Sequence, residues 1–186
     1  IEDISLMRTL PNMTVINPAD AKETEAAVLA AIDYQGPVYI RLGRAETKDI
    51  HDDSYHFEWG KAEVLRQGSD VTIFATGIMT AKALDAAETL AKQGVQAEVI
   101  NVHTIKPLDE ETVIASAKKT GKVVTAEEHS IIGGVAVAEV LARQCPTKQA
   151  FVGVQDSFGE SGSPDDLLEK YGLTTEAIVK AAVGLQ

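Results

Sequence analysis

From residue 62 onward the chain alternates short apolar runs with longer amphipathic stretches, and this alternation restricts the fold more than any other feature. The runs at 62–65, Val71–Ala75, 97–102, 123–126 and 151–154 have strand length, and most lack a polar face. Strands apolar on both sides belong to a sheet covered on both faces. Between them lie helix-length segments with start and stop signals. Residues 80–93 end at Gly94, Asp109 caps a helix that runs to Thr120 before Gly121, and 135–143 stops ahead of Pro146. Two further helices are expected at 164–171 and Thr175–Val183. The pattern predicts an α/β fold, a mostly parallel sheet with helices on both faces and right-handed crossovers.

Upstream the punctuation is different. Ile4, Leu6, Met7 and Leu10 leave an amphipathic trace that Pro11 stops, and 13–16 reads as a strand. Asp20 is placed to cap a helix over Ala21–Ile32, whose turns are closed by Ala26, Leu29 and Ala30. Gly36-Pro37 breaks that pattern before a strand at 38–42. The polar stretch 47–55 reads as a linker between two domains, with His51 and His56 in solvent.

Charge and cysteine content narrow the function classes. A net charge of −11 argues against nucleic acid and anionic membranes, because phosphates are bound by clustered Lys and Arg. It does not argue against a small anionic substrate, for which one or two placed cations suffice. Cys145 is the single cysteine, so no disulfide can form within the chain, and a cytoplasmic setting is expected. The chain opens on Ile1 without a starting Met or a basic n-region, which reads as a piece of a longer protein with no signal peptide.

Chemistry-bearing residues gather where strands are expected to end. Thr76-Gly77 follows a strand, but no phosphate-binding glycine fingerprint accompanies it, so a structural turn is expected. Glu127-Glu128-His129-Ser130 sits ahead of Gly133-Gly134 at a strand-to-helix junction. No HExxH spacing and no GxSxG elbow surround it. Carboxylates that cap or pair at an interface are therefore favoured over a metal site or a serine nucleophile. His103 through Asp109 reads as a turn that sets up the next helix cap. Arg41 and Arg44 end the strand before the linker, where open α/β sheets bind ligands. Either could grip a phosphate with two parallel hydrogen bonds, or simply pair on the surface with Glu46 or Asp49.

Four stretches, in order along the chain, resemble the transketolase family. They are Glu2-Asp3-Ile4 to Pro18-Ala19-Asp20, Gly36-Pro37 to Gly43-Arg44, Thr104-Ile105-Lys106-Pro107-Leu108-Asp109 with Thr125-Ala126-Glu127-Glu128-His129, and Phe158-Gly159-Glu160-Ser161-Gly162. The resemblance implies that 1–49 is the C-terminal part of a pyrimidine-binding domain, 50–57 a linker and 58–186 a transketolase C-terminal domain. It implies transfer of a two-carbon ketol unit between sugar phosphates, with thiamine diphosphate and Mg²⁺ or Ca²⁺ in the intact enzyme. By the same resemblance the catalytic Glu, the aromatic residue stacking on the cofactor ring and the substrate-binding His residues precede residue 1. No catalytic, cofactor or metal residue is therefore expected here, and the chain alone is expected to be inactive. One family role falls on this chain: Arg44 matches the arginine that binds the substrate's phosphate. A homodimer, or assembly with an N-terminal half, is implied as well.

Rival readings remain within reach of the same residues. A deoxyxylulose-phosphate synthase or the β subunit of a 2-oxo acid dehydrogenase would use the same cofactor. A non-catalytic assembly module, or a nucleotide-binding regulatory domain built on Thr76-Gly77, would use the same fold.

Overall fold

The computed structural model describes all residues, Ile1–Gln186. The first elements are α1 (Asp3–Thr9), β1 (Thr14–Ile16), α2 (Ala21–Ile32) and β2 (Val38–Ile40). There follow β3 (Glu63–Arg66), β4 (Val71–Ala75), α3 (Met79–Lys92), β5 (Ala97–Asn101) and β6 (Thr104–Lys106). The chain closes with α4 (Glu110–Thr120), β7 (Lys122–Ser130), α5 (Val137–Gln144), β8 (Lys148–Val154), α6 (Pro164–Lys170) and α7 (Thr175–Val183). No helix is long and apolar enough to cross a membrane.

The expected α/β architecture is present. Five strands form one sheet in the order β3-β5-β4-β7-β8, parallel except for β3 at the edge. β4 is buried at every position, as its apolar run requires, and the one polar member, Thr72, donates its hydroxyl to Glu98 Oε2 at 2.9 Å. Helices α3 and α7 pack on one face through Met79, Leu90 and Ile178, and α4 and α5 cover the other through Val113, Val140 and Leu141. Side-chain oxygens at Asp109, Ser163 and Thr174 cap α4, α6 and α7, so local chemistry sets where these helices begin.

Two expectations are corrected. The segment after His103 is a strand, not a turn: β6 pairs antiparallel with β1 and completes a three-stranded sheet, β2-β1-β6. A strand from the second half of the chain thus joins the sheet of the first half. In addition, β7 extends through Glu127, Glu128 and His129 to Ser130, so these residues lie on a strand rather than at a junction. Ser130 stays in register with Val154 beyond an irregularity, and Ile131 N–H donates to the Val154 carbonyl at 3.0 Å.

Candidate functional site

Strand β4 has β5 on one side and β7 on the other, and its chain continues into β5. The gap between β4 and β7 is therefore the point where strand order reverses, the usual ligand crevice of an open α/β sheet. Gly77, just past β4, adopts φ +56°, and a Cβ there would sit 2.7 Å from the Asn17 side chain. Its N–H donates to the Asn17 carbonyl at 3.3 Å. Gly77 thus lets the two sheets approach closely, the structural turn expected of it.

Arg44 reaches this crevice from β2. It shares a cavity of about 320 Å³ with Ile78 after β4, Glu128 of β7, Glu160 and Tyr171. Arg44 is exposed and forms none of the chain's ion pairs, so the alternative pairing with Glu46 or Asp49 is absent. The cavity's two carboxylates are engaged elsewhere. Glu160 accepts from Lys170 Nζ at 2.6 Å, and Glu128 Oε2 accepts from Arg41 Nη1 at 3.0 Å.

Arg41 is likewise not paired with Glu46 or Asp49. Its Nε donates to Asp3 Oδ2 at 3.0 Å, so its guanidinium joins α1, β2 and β7. Tyr39 Oη donates to the same Asp3 oxygen at 2.9 Å. Burial resists ionisation of Asp3, but the Arg41 charge and the Tyr39 hydrogen bond outweigh it and hold the carboxyl below its ordinary value.

The remaining members of the Glu-Glu-His run lie where β7 meets α1 and the Gly133-Gly134 turn. His129 is fully buried; its Nε2 accepts from the Ser5 N–H at 3.3 Å, while Nδ1 donates to the Ser130 carbonyl at 2.8 Å. It thereby satisfies a first-turn N–H of α1, a helix without a side-chain cap of its own. Glu127 is 4% exposed, its Oε2 has no partner, and burial pushes its carboxyl up to about 7. The Gly133-Gly134 turn folds over it so tightly that a Cβ on Gly134 would fall 1.8 Å from Oε2. Arg8 fastens that turn by donating to both glycine carbonyls at 2.7 Å, and it also pairs with Glu139. Sequence reasoning overlooked Arg8, Asp3 and Tyr39; their motif strings marked a family but gave no sign of their partners.

His51 is not in solvent, which corrects the expectation that it is solvated. Its Nδ1 lies 3.0 Å from Asp20 Oδ2 and its Nε2 lies 2.8 Å from Glu63 Oε2. Burial lowers its pKa, but the two carboxylates outweigh this and raise it to about 9. His56 is exposed, as expected. His103 is buried against Phe57 with Nδ1 2.9 Å from Thr104 Oγ1, and burial holds its pKa below the ordinary value. Ligand atoms of Glu23, His51 and Glu63 lie within 4.8 Å of one another, a spacing a cation could use. Internal hydrogen bonds already consume them: Glu23 accepts from Ala19 N–H, Tyr55 Oη and Asn101 Nδ2, while His51 spends both nitrogens on carboxylates. These residues do not fit a diphosphate–metal site.

Residues 60–178 match the family model for the transketolase C-terminal domain, and residues 1–49 match that for the transketolase pyrimidine binding domain. The chain is similar to a 6-deoxy-6-sulfo-D-fructose transketolase subunit of Clostridium sp. (strain MSTE9), 54% identical over 98% of this chain and 57% of that protein. It is also similar to a 1-deoxy-D-xylulose-5-phosphate synthase of Desulforudis audaxviator (strain MP104C), 37% identical over 97% of this chain and 29% of that protein. Among solved structures, a split gene transketolase described as an inactive beta4 tetramer superposes with a TM-score of 0.96 and 52% identity, over all of this chain and 61% of that one. The chain thus spans a little over half the length of the first of these relatives, at 57%.

Proposed function

The chain belongs to the transketolase family, and from that premise we propose that it supplies the substrate-tail grip of an enzyme transferring a two-carbon ketol unit between sugars. The observation that carries this is Arg44: an exposed guanidinium without an ion-pair partner, at the strand-order reversal of a parallel sheet, beside a cavity large enough for a small polar ligand. Its forked donors suit a terminal tetrahedral oxyanion, either phosphate or sulfonate. Both occur in the names of the relatives above, a sulfo-sugar in one and a sugar phosphate in the other. The grip acts far from the reacting carbon, so its binding energy orients the sugar.

Family membership points to thiamine diphosphate as the cofactor of the intact enzyme, and we propose Mg²⁺ or Ca²⁺ as the metal that accompanies it. The Glu23, His51 and Glu63 cluster does not fit that group's diphosphate and metal, so the contribution read for this chain is substrate placement and assembly. Within this reading 1–49 belongs to the pyrimidine-binding domain, 50–57 is the connector and 58–186 the C-terminal domain. The working enzyme is a homodimer, or an assembly with an N-terminal half, in the cytoplasm.

The test is kinetic. In the assembled enzyme, Arg44→Ala should raise KM for an anion-terminated ketose about tenfold or more with a smaller effect on kcat. An unchanged KM would remove Arg44 from the site. The relative that makes 1-deoxy-D-xylulose 5-phosphate keeps a second reading open, condensation of a 2-oxo acid with an aldose phosphate. Turnover of pyruvate without turnover of a ketose phosphate would select it. Turnover by this chain alone, given thiamine diphosphate and Mg²⁺, would overturn the placement-only role.

A further inference from the structure

The cavity beside Arg44 carries two carboxylates, Glu128 and Glu160, and in the structure neither is paired with Arg44. Each is held by a different cation. Lys170 takes Glu160, and Arg41, with its side chain only 15% exposed, takes Glu128. Arg41 is itself well fixed. Its N–H continues the β1–β2 ladder to the Ile16 carbonyl at 2.8 Å, and its Nε is held by Asp3, which Tyr39 also holds. A planar guanidinium can serve two carboxylates from one rigid fork, which a lysine ammonium cannot do with the same geometry.

We infer that Arg41 is a positioning residue for the anion grip: by sequestering Glu128 it keeps Arg44 free of an internal partner, so that Arg44 is available to the sugar's terminal anion. This rests on the reading of Arg44 given above. An internal carboxylate paired with Arg44 would have to be displaced by each incoming substrate and would repel it. Arg41 prevents this without touching the ligand. Lys170 does the same for Glu160 on the more exposed side, where solvent weakens the competition.

The experiment is a rescue in the assembled enzyme, scored on KM and kcat for an anion-terminated ketose. Arg41→Gln leaves Glu128 unheld and should raise KM about fivefold, the equilibrium weight of an ion pair at the upper end of the surface range, with kcat changing much less. Adding Glu128→Gln to that variant removes the competitor and should bring KM most of the way back. A double variant as impaired as Arg41→Gln, or worse, shows a structural defect and overturns the inference; so does an unchanged KM in the single variant. If Arg41→Gln does not accumulate folded, Glu128→Gln alone decides, because removal of a competitor must not raise KM. A raised KM there means that Glu128 serves the ligand directly, and the inference falls. Arg44→Ala run alongside separates the two claims. If it leaves KM unchanged, the reading of Arg44 fails and takes this inference with it. If it raises KM while the rescue fails, only the sequestration is wrong.

Discussion

At the scale of single residues, Glu127 is confined by burial and by the Gly133-Gly134 turn that folds over it. Its carboxyl is buried, one oxygen lacks a partner, and its pKa is pushed up to about 7 by burial. The folded pKa lies above the unfolded value, so the folded state holds the extra proton between about 4.5 and 7. Stability attributable to this residue therefore falls as pH rises across that window and stays low above it. Glu127→Gln should accordingly melt at a higher temperature than the wild type at about pH 8 and gain much less at about pH 5. An equal effect at both values would show that Glu127 is not the titrating group. Gly134 is the other half of the constraint. Gly134→Ala places a methyl group against the carboxylate and should cost about 1–3 kcal/mol or more in denaturant unfolding. Combining it with Glu127→Ala should recover most of the loss, since contacting residues do not add independently.

At the scale of elements, α1 and the 50–57 segment are ordered by groups distant in sequence. Helix α1 has 7 residues, too few to persist alone. It is held by Ile4 in the core, by His129 at its first turn and by Arg8 on the Gly133-Gly134 turn. His129→Ala removes both a cap and a buried ring, so a loss of about 3 kcal/mol is expected, read by equilibrium unfolding. The 50–57 segment is clamped by His51 between Asp20, the N-cap of α2, and Glu63 of β3. Its folded pKa of about 9 exceeds the unfolded value near 6.5, so the clamp is fully present below the unfolded value and is lost as pH rises through about 9. The stability difference between wild type and His51→Gln should shrink above that pH; a constant difference would exclude the charged clamp.

At the scale of the whole molecule, two sheets are joined by buried and half-buried polar contacts rather than by a continuous apolar core. The Asp3–Arg41–Glu128 chain and the Glu23–Asn101 contact cross between them, and β6, which follows β5 in the chain, pairs with β1 of the other sheet. Exposed pairs such as Lys48–Asp85 add little, about 1 kcal/mol at most. Helix α2 buries only Glu23 and Ala27 and turns Val28, Leu29 and Ile32 outward, at 43%, 58% and 74% exposure. These three share one helix face, and an uncovered apolar face seeks a partner. The chain by itself should therefore self-associate in sedimentation, and Leu29→Lys with Ile32→Glu should shift it toward smaller species. A wild-type chain that stays monomeric at high concentration would refute this.

The sequence by itself determined the layered α/β sheet, most helix starts and the covered strands β4, β5 and β7. Those are properties of local periodicity and capping, which neighbouring residues impose on one another. It also marked Gly77 as a turn and singled out Arg41 and the Glu-Glu-His run as groups without known partners. The tertiary structure alone decided what those groups pair with. Arg41 meets Glu128 across 87 residues, and Arg8 meets the Gly133 carbonyl across 125. It also moved residues 104–106 from an expected turn into the other sheet and drew His51 out of solvent. Such contacts depend on how far the chain has folded back on itself, and the spacing of residues along one strand or helix carries no trace of it.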